Sequence, residues 1–163
     1  MADYDPLTDL TIKLSRQALS DEKKYREICN CVRRVIGDAN RVSLWQFNER
    51  RDEIYCLCLL EDGSFSADID LVLAQTTCAD YFEAILRKEV VIAPVAREHP
   101  HTYCFTEDYF EPNNIYSLLD YIFHQDFKPI GIICCEGTTG PVSWTERDIS
   151  MLKRIANITS MFF

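Results

Sequence analysis

The side chains best suited to chemistry in this sequence are eight cysteines and three histidines. A thiolate is both a nucleophile and a metal ligand, and a nearby histidine can act as its base. His99 and His101 precede Cys104 in one loop, whereas His124 lies in a turn between strands. We therefore predict a folded loop with a buried Cys104, and an active site in this loop is the alternative.

Other catalytic motifs are absent from the sequence. It contains no G-x-S-x-G, no H-E-x-x-H and no glycine loop that could hold a phosphate, and it has only five glycines in all. Nucleophilic catalysis needs a nucleophile, a base within reach and a group that orients the base. Because that set is missing, we expect no catalytic turnover by this domain alone.

The cysteine spacings do not match a metal site, since there is no C-x-x-C. Cys29 and Cys31 stand about 200° apart on a predicted helix. Cys134 and Cys135 are neighbours on a strand and point to opposite faces. These two pairs therefore cannot chelate an ion.

Cys56 and Cys58 would share a strand face, so they form the one pair that could chelate a metal or react as a redox couple. The His-x-His at His99 and His101 lacks the second pair that would complete a zinc site. Most cysteines have Ile, Leu or Val as neighbours. We expect them to be reduced, buried and metal-free, and we expect no cofactor.

Charge and hydropathy exclude several partners. The net charge is −9, from 17 basic and 26 acidic residues, and the basic residues are scattered, which argues against nucleic acid and anionic membranes. No stretch approaches the roughly 18 apolar residues that a membrane span needs. The acidic N-terminus does not resemble a signal peptide, so a cytoplasmic location is expected.

The elements that must position these residues follow from hydrophobic periodicity and turn residues. Helices are predicted at about residues 7–19, 21–36, 78–88 and 145–163, and strands at 41–47, 53–60, 90–93, 115–123 and 129–136. A short strand at 65–69 and a helical turn at 106–110 within the loop 96–114 complete the prediction. Local hairpins predict an antiparallel sheet, with the terminal helices on one face, and hence an α+β fold.

Five segments of the chain resemble a GAF domain of a bacterial signal-transduction subgroup. They are YFEA at 81–84, HPHT at 99–102, IYSLLD at 115–120, GIICCE at 131–136 and WTERD at 144–148. The resemblance covers about residues 20–163. It implies a GAF-like, PAS-related, six-stranded antiparallel sheet, with terminal helices on one face and a pocket covered by a helix and loop on the other.

The resemblance also implies a sensory role in front of a histidine kinase, a diguanylate cyclase or a transcription regulator. Residues 1–163 would then be one domain, with an N-terminal helix at about 1–19 and a GAF core at 20–163, cut from a longer protein with an output domain. A cysteine-based free methionine sulfoxide reductase is an alternative within the family, but its D-V-H and H-I-x-C-D segments are missing here. The cysteine–histidine dipeptide of bilin-binding relatives is missing too.

The implied pocket should bind an unidentified small molecule through aromatic walls and a few polar groups. The candidate residues on the central helix, the long loop and the facing strand are Tyr81, Phe105, Tyr109, Phe110, Ser117 and Asp120. Asp120 and Glu136 lie in apolar strands, and each could meet a ligand donor or pair with Lys or Arg at an edge. A ligand-free dimerisation module remains the other interpretation.

The final helix carries two apolar stripes, which predicts a homodimer. Met151, Ile155, Ile158 and Phe162 form the stripe assigned to the partner chain. The terminal helices of two chains would then form a four-helix bundle. Alternatively, the N-terminal helices of the same chain cover this second apolar stripe.

Overall fold

The computed structural model of the protein describes residues 5–163, and the start of the predicted N-terminal helix region, residues 1–4, lies outside them. Its centre is an antiparallel sheet. In chain order the strands are β1 Arg41–Phe47, β2 Glu53–Glu61, β3 Ser64–Phe65, β4 Val72–Ala74, β5 Val90–Ala93, β6 Ser117–Gln125 and β7 Lys128–Gly137. Their spatial order is β3-β2-β1-β7-β6-β5, and β4 also pairs with β2. The sheet thus has seven strands rather than six, because two short strands share the outer edge of β2.

Helices cover both faces of this sheet. They are α1 Pro6–Leu14, α2 Asp21–Val35, α3 Ala79–Lys88 and α4 Glu146–Phe162, with a 3₁₀ turn at Tyr103–Phe105 and a π-helical turn at Thr106–Phe110. The terminal helices α1, α2 and α4 pack on one face, and α3 with the long loop packs on the other. This arrangement confirms the predicted α+β fold.

Alternation along the strands divides the core into two layers. On β1, Val42 and Leu44 face the terminal helices, whereas Trp45 faces α3 and the loop. On β7, Cys135 joins the helix-side layer and Cys134 the loop-side layer, as their adjacent positions predict. A residue's position along a strand therefore decides which layer it can join.

Two T-x-x-D segments, at 77–80 and 145–148, precede helices, and only the second forms a capping box. Thr145 and Asp148 form a complete box at the start of α4. Thr77 forms none, because α3 begins at Ala79 and Cys78 is the N-cap, without a side-chain hydrogen bond. A threonine one position before the N-cap cannot reach the amides that it would cap.

One residue assigned to a partner chain lies inside this one. Ile155 is fully buried in the layer that α4 forms with α1, α2 and the sheet. Its assignment to a dimer interface is therefore wrong, because the N-terminal helices cover that part of α4. Met151, Ile158 and Phe162 are only half-buried, at the margin of the same layer. Across residues 5–163, no helix has both the length and the apolar character that crossing a bilayer requires.

Candidate functional site

A small cavity lies between the sheet, α3 and the two helical turns of the loop, and we call it the Asp120 pocket. Five of the six predicted ligand-binding residues line it: Tyr81, Phe105, Tyr109, Phe110 and Asp120. The remaining lining residues are Trp45, Ile54, Leu73, Leu118 and Cys134. The space open to the centre of a water molecule is about 10 Å³, so this conformation has room for about one water-sized group.

The sixth predicted residue, Ser117, does not line the pocket. Its hydroxyl faces the backbone carbonyl oxygens of Ala93 and Val142, at 3.3 and 3.5 Å. Ser117 and Asp120 are three positions apart on β6, and side chains an odd number of positions apart point to opposite faces. The prediction that both enter one pocket was therefore wrong for Ser117.

Asp120 is the polar group at the centre of the pocket, and it is only 3% exposed. The Tyr81 hydroxyl donates to its Oδ2 at 2.5 Å, while Oδ1 has no hydrogen-bond partner among the described residues. Burial raises the pKa of Asp120 to about 8, although the neighbouring Cys134 thiol and the Tyr81 hydroxyl oppose the rise. At pH 7 the carboxyl group is thus largely protonated, and its Oδ1 has no hydrogen-bond partner among the described residues.

A buried ion pair lies beside the pocket. Arg41 donates from Nε to Oε1 of Glu136 and from one terminal nitrogen to Glu61, both at 3.0 Å. The hydroxyl of Tyr109 lies 3.4 Å from Glu136 Oε1 and 3.5 Å from Arg41. Burial raises the pKa of Glu136 and Arg41 opposes that rise. The sequence analysis left two roles open for Glu136, contact with a ligand donor or an ion pair with Lys or Arg. In the structure Glu136 forms an ion pair with Arg41.

Arg41 itself was missed by the sequence reasoning. Burial alone would lower its pKa, but Glu136 and Tyr109 raise it above the usual value. A usable signal existed, since Arg41 shares its strand parity with Trp45 and so faces the pocket layer. Because Arg41 is already paired with two carboxylates, it leaves no positive charge free for a ligand, and ionisation of Asp120 would add a further negative charge beside the pocket.

A disulfide joins the two elements that cover the pocket. Cys78, at the start of α3, is bonded to Cys104, in the turn that carries Phe105, and their Cα atoms are 5.3 Å apart. The expectation that all cysteines are reduced is therefore wrong for this pair. The residues are 26 positions apart in the chain, and such a pairing cannot be deduced from spacing alone. The other six cysteines are free.

The prediction that Cys56 and Cys58 share a strand face is also wrong. On β2, Cys58 lies opposite Leu44 and Cys56 opposite Trp45, with a bulge between them. The extra residue reverses the alternation, so Cys58 joins the helix-side layer and Cys56 the pocket layer. Within residues 5–163, no three His, Cys, Asp or Glu side chains are grouped as metal ligands would be.

The histidines of the loop lie outside the pocket. The rings of His99 and His101 have centroids 5.1 Å apart, and burial lowers the pKa of His99. Neither ring lines the cavity, although the His101 carbonyl oxygen is 3.8 Å from the sulfur of Cys78. Both histidine side chains therefore lie outside the Asp120 pocket, and only the backbone of His101 is next to the disulfide.

Comparison with known proteins assigns the architecture. A family model described as GAF domain matches residues 22–161. A search of curated proteins gave no match.

Solved structures resemble the whole chain. The GAF domain of an Acinetobacter phosphoenolpyruvate-protein phosphotransferase is 15% identical with a TM-score of 0.74, covering 99% of this chain and 94% of its own. A far-red-absorbing protein in its dark state with bound biliverdin is 17% identical with a TM-score of 0.77, covering 96% of each chain. The free methionine-R-sulfoxide reductase of Neisseria meningitidis, in complex with its substrate, is 13% identical with a TM-score of 0.72, covering 100% and 93%. At these identities the likeness establishes the fold.

Proposed function

The chain belongs to the GAF domain family, and on that basis we propose that it is a regulatory module that binds a small molecule in the Asp120 pocket. Its host would be a bacterial signalling protein of the cytoplasm, such as a histidine kinase, a diguanylate cyclase or a transcription regulator. The domain itself would carry no catalytic activity.

The observation that carries this proposal is the unused Oδ1 of Asp120 inside an aromatic cavity. A buried acceptor without a partner costs free energy, and a ligand donor would remove that cost. Aromatic walls with few polar groups are typical of small-molecule sites. The pocket therefore has the composition of a binding site, although the loop residues nearly fill it.

Strand β6 offers a route from the pocket to the terminal helices. Asp120 faces the pocket, and the next residue on each side, Leu119 and Tyr121, faces the helix layer. Further along, the backbone amide of His124 donates to the hydroxyl of Ser160 on α4 at 3.0 Å. A ligand that shifts β6 would thus shift α4, and α4 would pass the change to the output domain of the proposed host.

Native mass spectrometry of freshly purified protein tests this proposal. We expect a bound small molecule in the wild type and in Leu119→Phe, and its loss in Leu118→Phe, where the added ring fills the pocket. Each variant overpacks one of two adjacent positions on β6. In both, the free energy of unfolding should fall by about 1–3 kcal/mol. Absence of any bound mass, with and without added metabolite extract, would instead support a filled, ligand-free dimerisation module.

A second candidate function rests on the Cys78–Cys104 disulfide, which lies at the edge of the pocket. As dithiols, this pair could reduce a sulfoxide: one thiolate attacks the sulfur, the second forms the disulfide, and the sulfoxide oxygen leaves as water. The two thiols supply two electrons and two protons, and the substrate becomes a sulfide. One structural relative is the free methionine-R-sulfoxide reductase of Neisseria meningitidis.

Turnover of methionine sulfoxide in the presence of dithiothreitol tests the second candidate. Activity in the wild type that is lost in Cys78→Ser and Cys104→Ser, but kept in Cys56→Ser, would establish it. Cys56 is the matched control because it is a free thiol of the pocket layer outside the disulfide. Equal background rates in all four proteins would leave the disulfide as a structural feature.

A further inference from the structure

We propose that the ligand of the Asp120 pocket is a small organic ammonium ion, whose N–H group donates a hydrogen bond to Oδ1 of Asp120. This inference rests on the proposed function and names the chemical class of its ligand. Three features of the pocket carry it: the free acceptor, the charge balance and the aromatic lining.

The free acceptor requires a donor. Asp120 Oδ1 has no partner among the described residues, and Oδ2 is occupied by Tyr81. A carboxylate or phosphate could accept a hydrogen bond from the protonated acid, but it would bring a negative charge next to Glu136, where Arg41 is already paired with two carboxylates. A ligand with an N–H donor satisfies Oδ1.

The charge balance requires a cation. Arg41 is held by Glu136 and Glu61, each at 3.0 Å, so no free positive charge is available to an anionic ligand in the described pocket. If Asp120 ionises, the pocket gains one uncompensated negative charge. A positively charged ligand neutralises this charge, and charge-assisted hydrogen bonds are roughly twice as strong as neutral ones.

The aromatic lining suits the organic part of such a cation. The side chains of Tyr81, Phe105, Tyr109 and Phe110 line the cavity together with Asp120. Aromatic rings attract ammonium groups through their negative faces, and cages of aromatic rings bind quaternary ammonium ligands such as choline and methyl-lysine. The free volume of about 10 Å³ admits only a head group, so a longer ligand requires the turns at Tyr103–Phe105 and Thr106–Phe110 to move outward.

Proton release distinguishes this binding mode from a neutral hydrogen bond. Burial holds the pKa of Asp120 at about 8, so at pH 7 an ammonium ion that binds the carboxylate must expel roughly 0.9 proton, falling to roughly 0.1 at pH 9. The titratable groups that face Asp120 are Tyr81 on α3, Tyr109 on the π-helical turn, and Cys134 and Glu136 on β7. β5 places Val91 opposite Asp120 and adds none.

The experiment uses methylammonium as the probe, with methanol, acetate and potassium ions as matched solutes. Binding is followed by amide chemical shifts, and proton release by calorimetry in two buffers of different ionisation enthalpy. We expect saturable binding of methylammonium alone, roughly 50-fold weaker at pH 6 than at pH 8. Asp120→Asn should lose the binding and the proton release, and Asp80→Asn, an exposed acid on α3, should keep both.

Several outcomes would overturn the inference. They are equal binding of methanol or potassium, unchanged proton release in Asp120→Asn, and a pocket that holds only a buried water at saturating probe. If Asp120→Asn does not fold, Leu118→Phe, which keeps the carboxyl group but fills the cavity, should lose methylammonium binding, and Leu119→Phe should keep it. A neutral or anionic molecule found in the pocket by native mass spectrometry would overturn the ligand class and leave the proposed function standing. If nothing binds at all, both fail.

Discussion

The Tyr81 hydroxyl donates a 2.5 Å hydrogen bond to Oδ2 of Asp120 and so joins the covering helix α3 to the middle of the sheet. Both residues are almost fully buried, at 2% and 3% exposure. The bond fixes one oxygen of the carboxyl group and leaves the other without a hydrogen-bond partner among the described residues. The same contact therefore supports the fold and orients the group that we expect to meet a ligand.

Replacing Tyr81 with Phe tests the structural part of this contact. The change removes one hydroxyl and leaves Oδ2 of Asp120 without a donor, so we expect the free energy of unfolding to fall by about 1–3 kcal/mol. Urea unfolding measures it. Tyr103→Phe is the control, because Tyr103 is 51% exposed and its change should stay within about 0.5 kcal/mol. Equal effects of the two changes would show that the hydrogen bond adds no stability.

The pH dependence of stability tests the state of Asp120. The pKa of its carboxyl group is raised to about 8 in the folded protein, against about 3.9 when unfolded. Between these values the folded state binds more protons, so stability falls as pH rises from 4 to 8. The slope from one such group is at most about 1.4 kcal/mol per pH unit.

Asp120→Asn isolates that slope, because the other titrating groups remain. As pH rises from 5 to 8, we expect the free energy of unfolding of the wild type to fall relative to that of the variant. Urea titrations at each pH provide the values. A constant difference would mean that Asp120 is already ionised in the folded protein.

The disulfide should restrain the loop over the pocket. Its two cysteines are 26 residues apart, and the loss of a cross-link of this length costs about 3 kcal/mol. In Cys104→Ser we expect faster hydrogen exchange across residues 103–110 and unchanged exchange in β1. Dithiothreitol should reproduce this in the wild type but not alter a Cys78→Ala/Cys104→Ala double variant. If neither Cys104→Ser nor dithiothreitol changes hydrogen exchange across residues 103–110, the disulfide does not restrain this loop.

Parts of this architecture could be predicted because they depend on local order. The faces of β1 follow from alternation, and the α4 cap follows from Thr145 and Asp148. The predictions fail where one extra residue changes the alternation of a strand, or where a residue's partner lies far away in the sequence. A single bulge separates Cys56 from Cys58, and Cys78 meets Cys104 only after the chain has folded.

The candidate site shows the same division. Aromatic side chains of the loop and Asp120 could be assigned to one pocket, but parity along β6 excludes Ser117. The partnership of Arg41 and Glu136 arises because they lie opposite each other across β1 and β7, although 95 residues separate them in sequence. Hydrophobic patterns do not specify which strands become neighbours, and so they could not predict that pair.

The dimer remains a prediction, now with a smaller surface. Met151, Ile158 and Phe162 are half-buried on α4, and a second chain could cover them. By sedimentation equilibrium at tens of micromolar we expect a wild-type dimer, a monomeric Ile158→Glu and a dimeric Asn157→Glu, since Asn157 is exposed on another side of the helix. A monomeric wild type, or a dimer that Ile158→Glu does not weaken, would contradict this interface.

A crystal structure of the freshly purified protein, and of crystals soaked in methylammonium, tests the central claim most directly. We expect electron density for a non-protein molecule between the aromatic side chains, with a nitrogen about 3 Å from Oδ1 of Asp120. The loop at residues 103–110 should move outward if the molecule is larger than its head group. A pocket that holds only ordered water in both crystals would contradict small-molecule binding at this site.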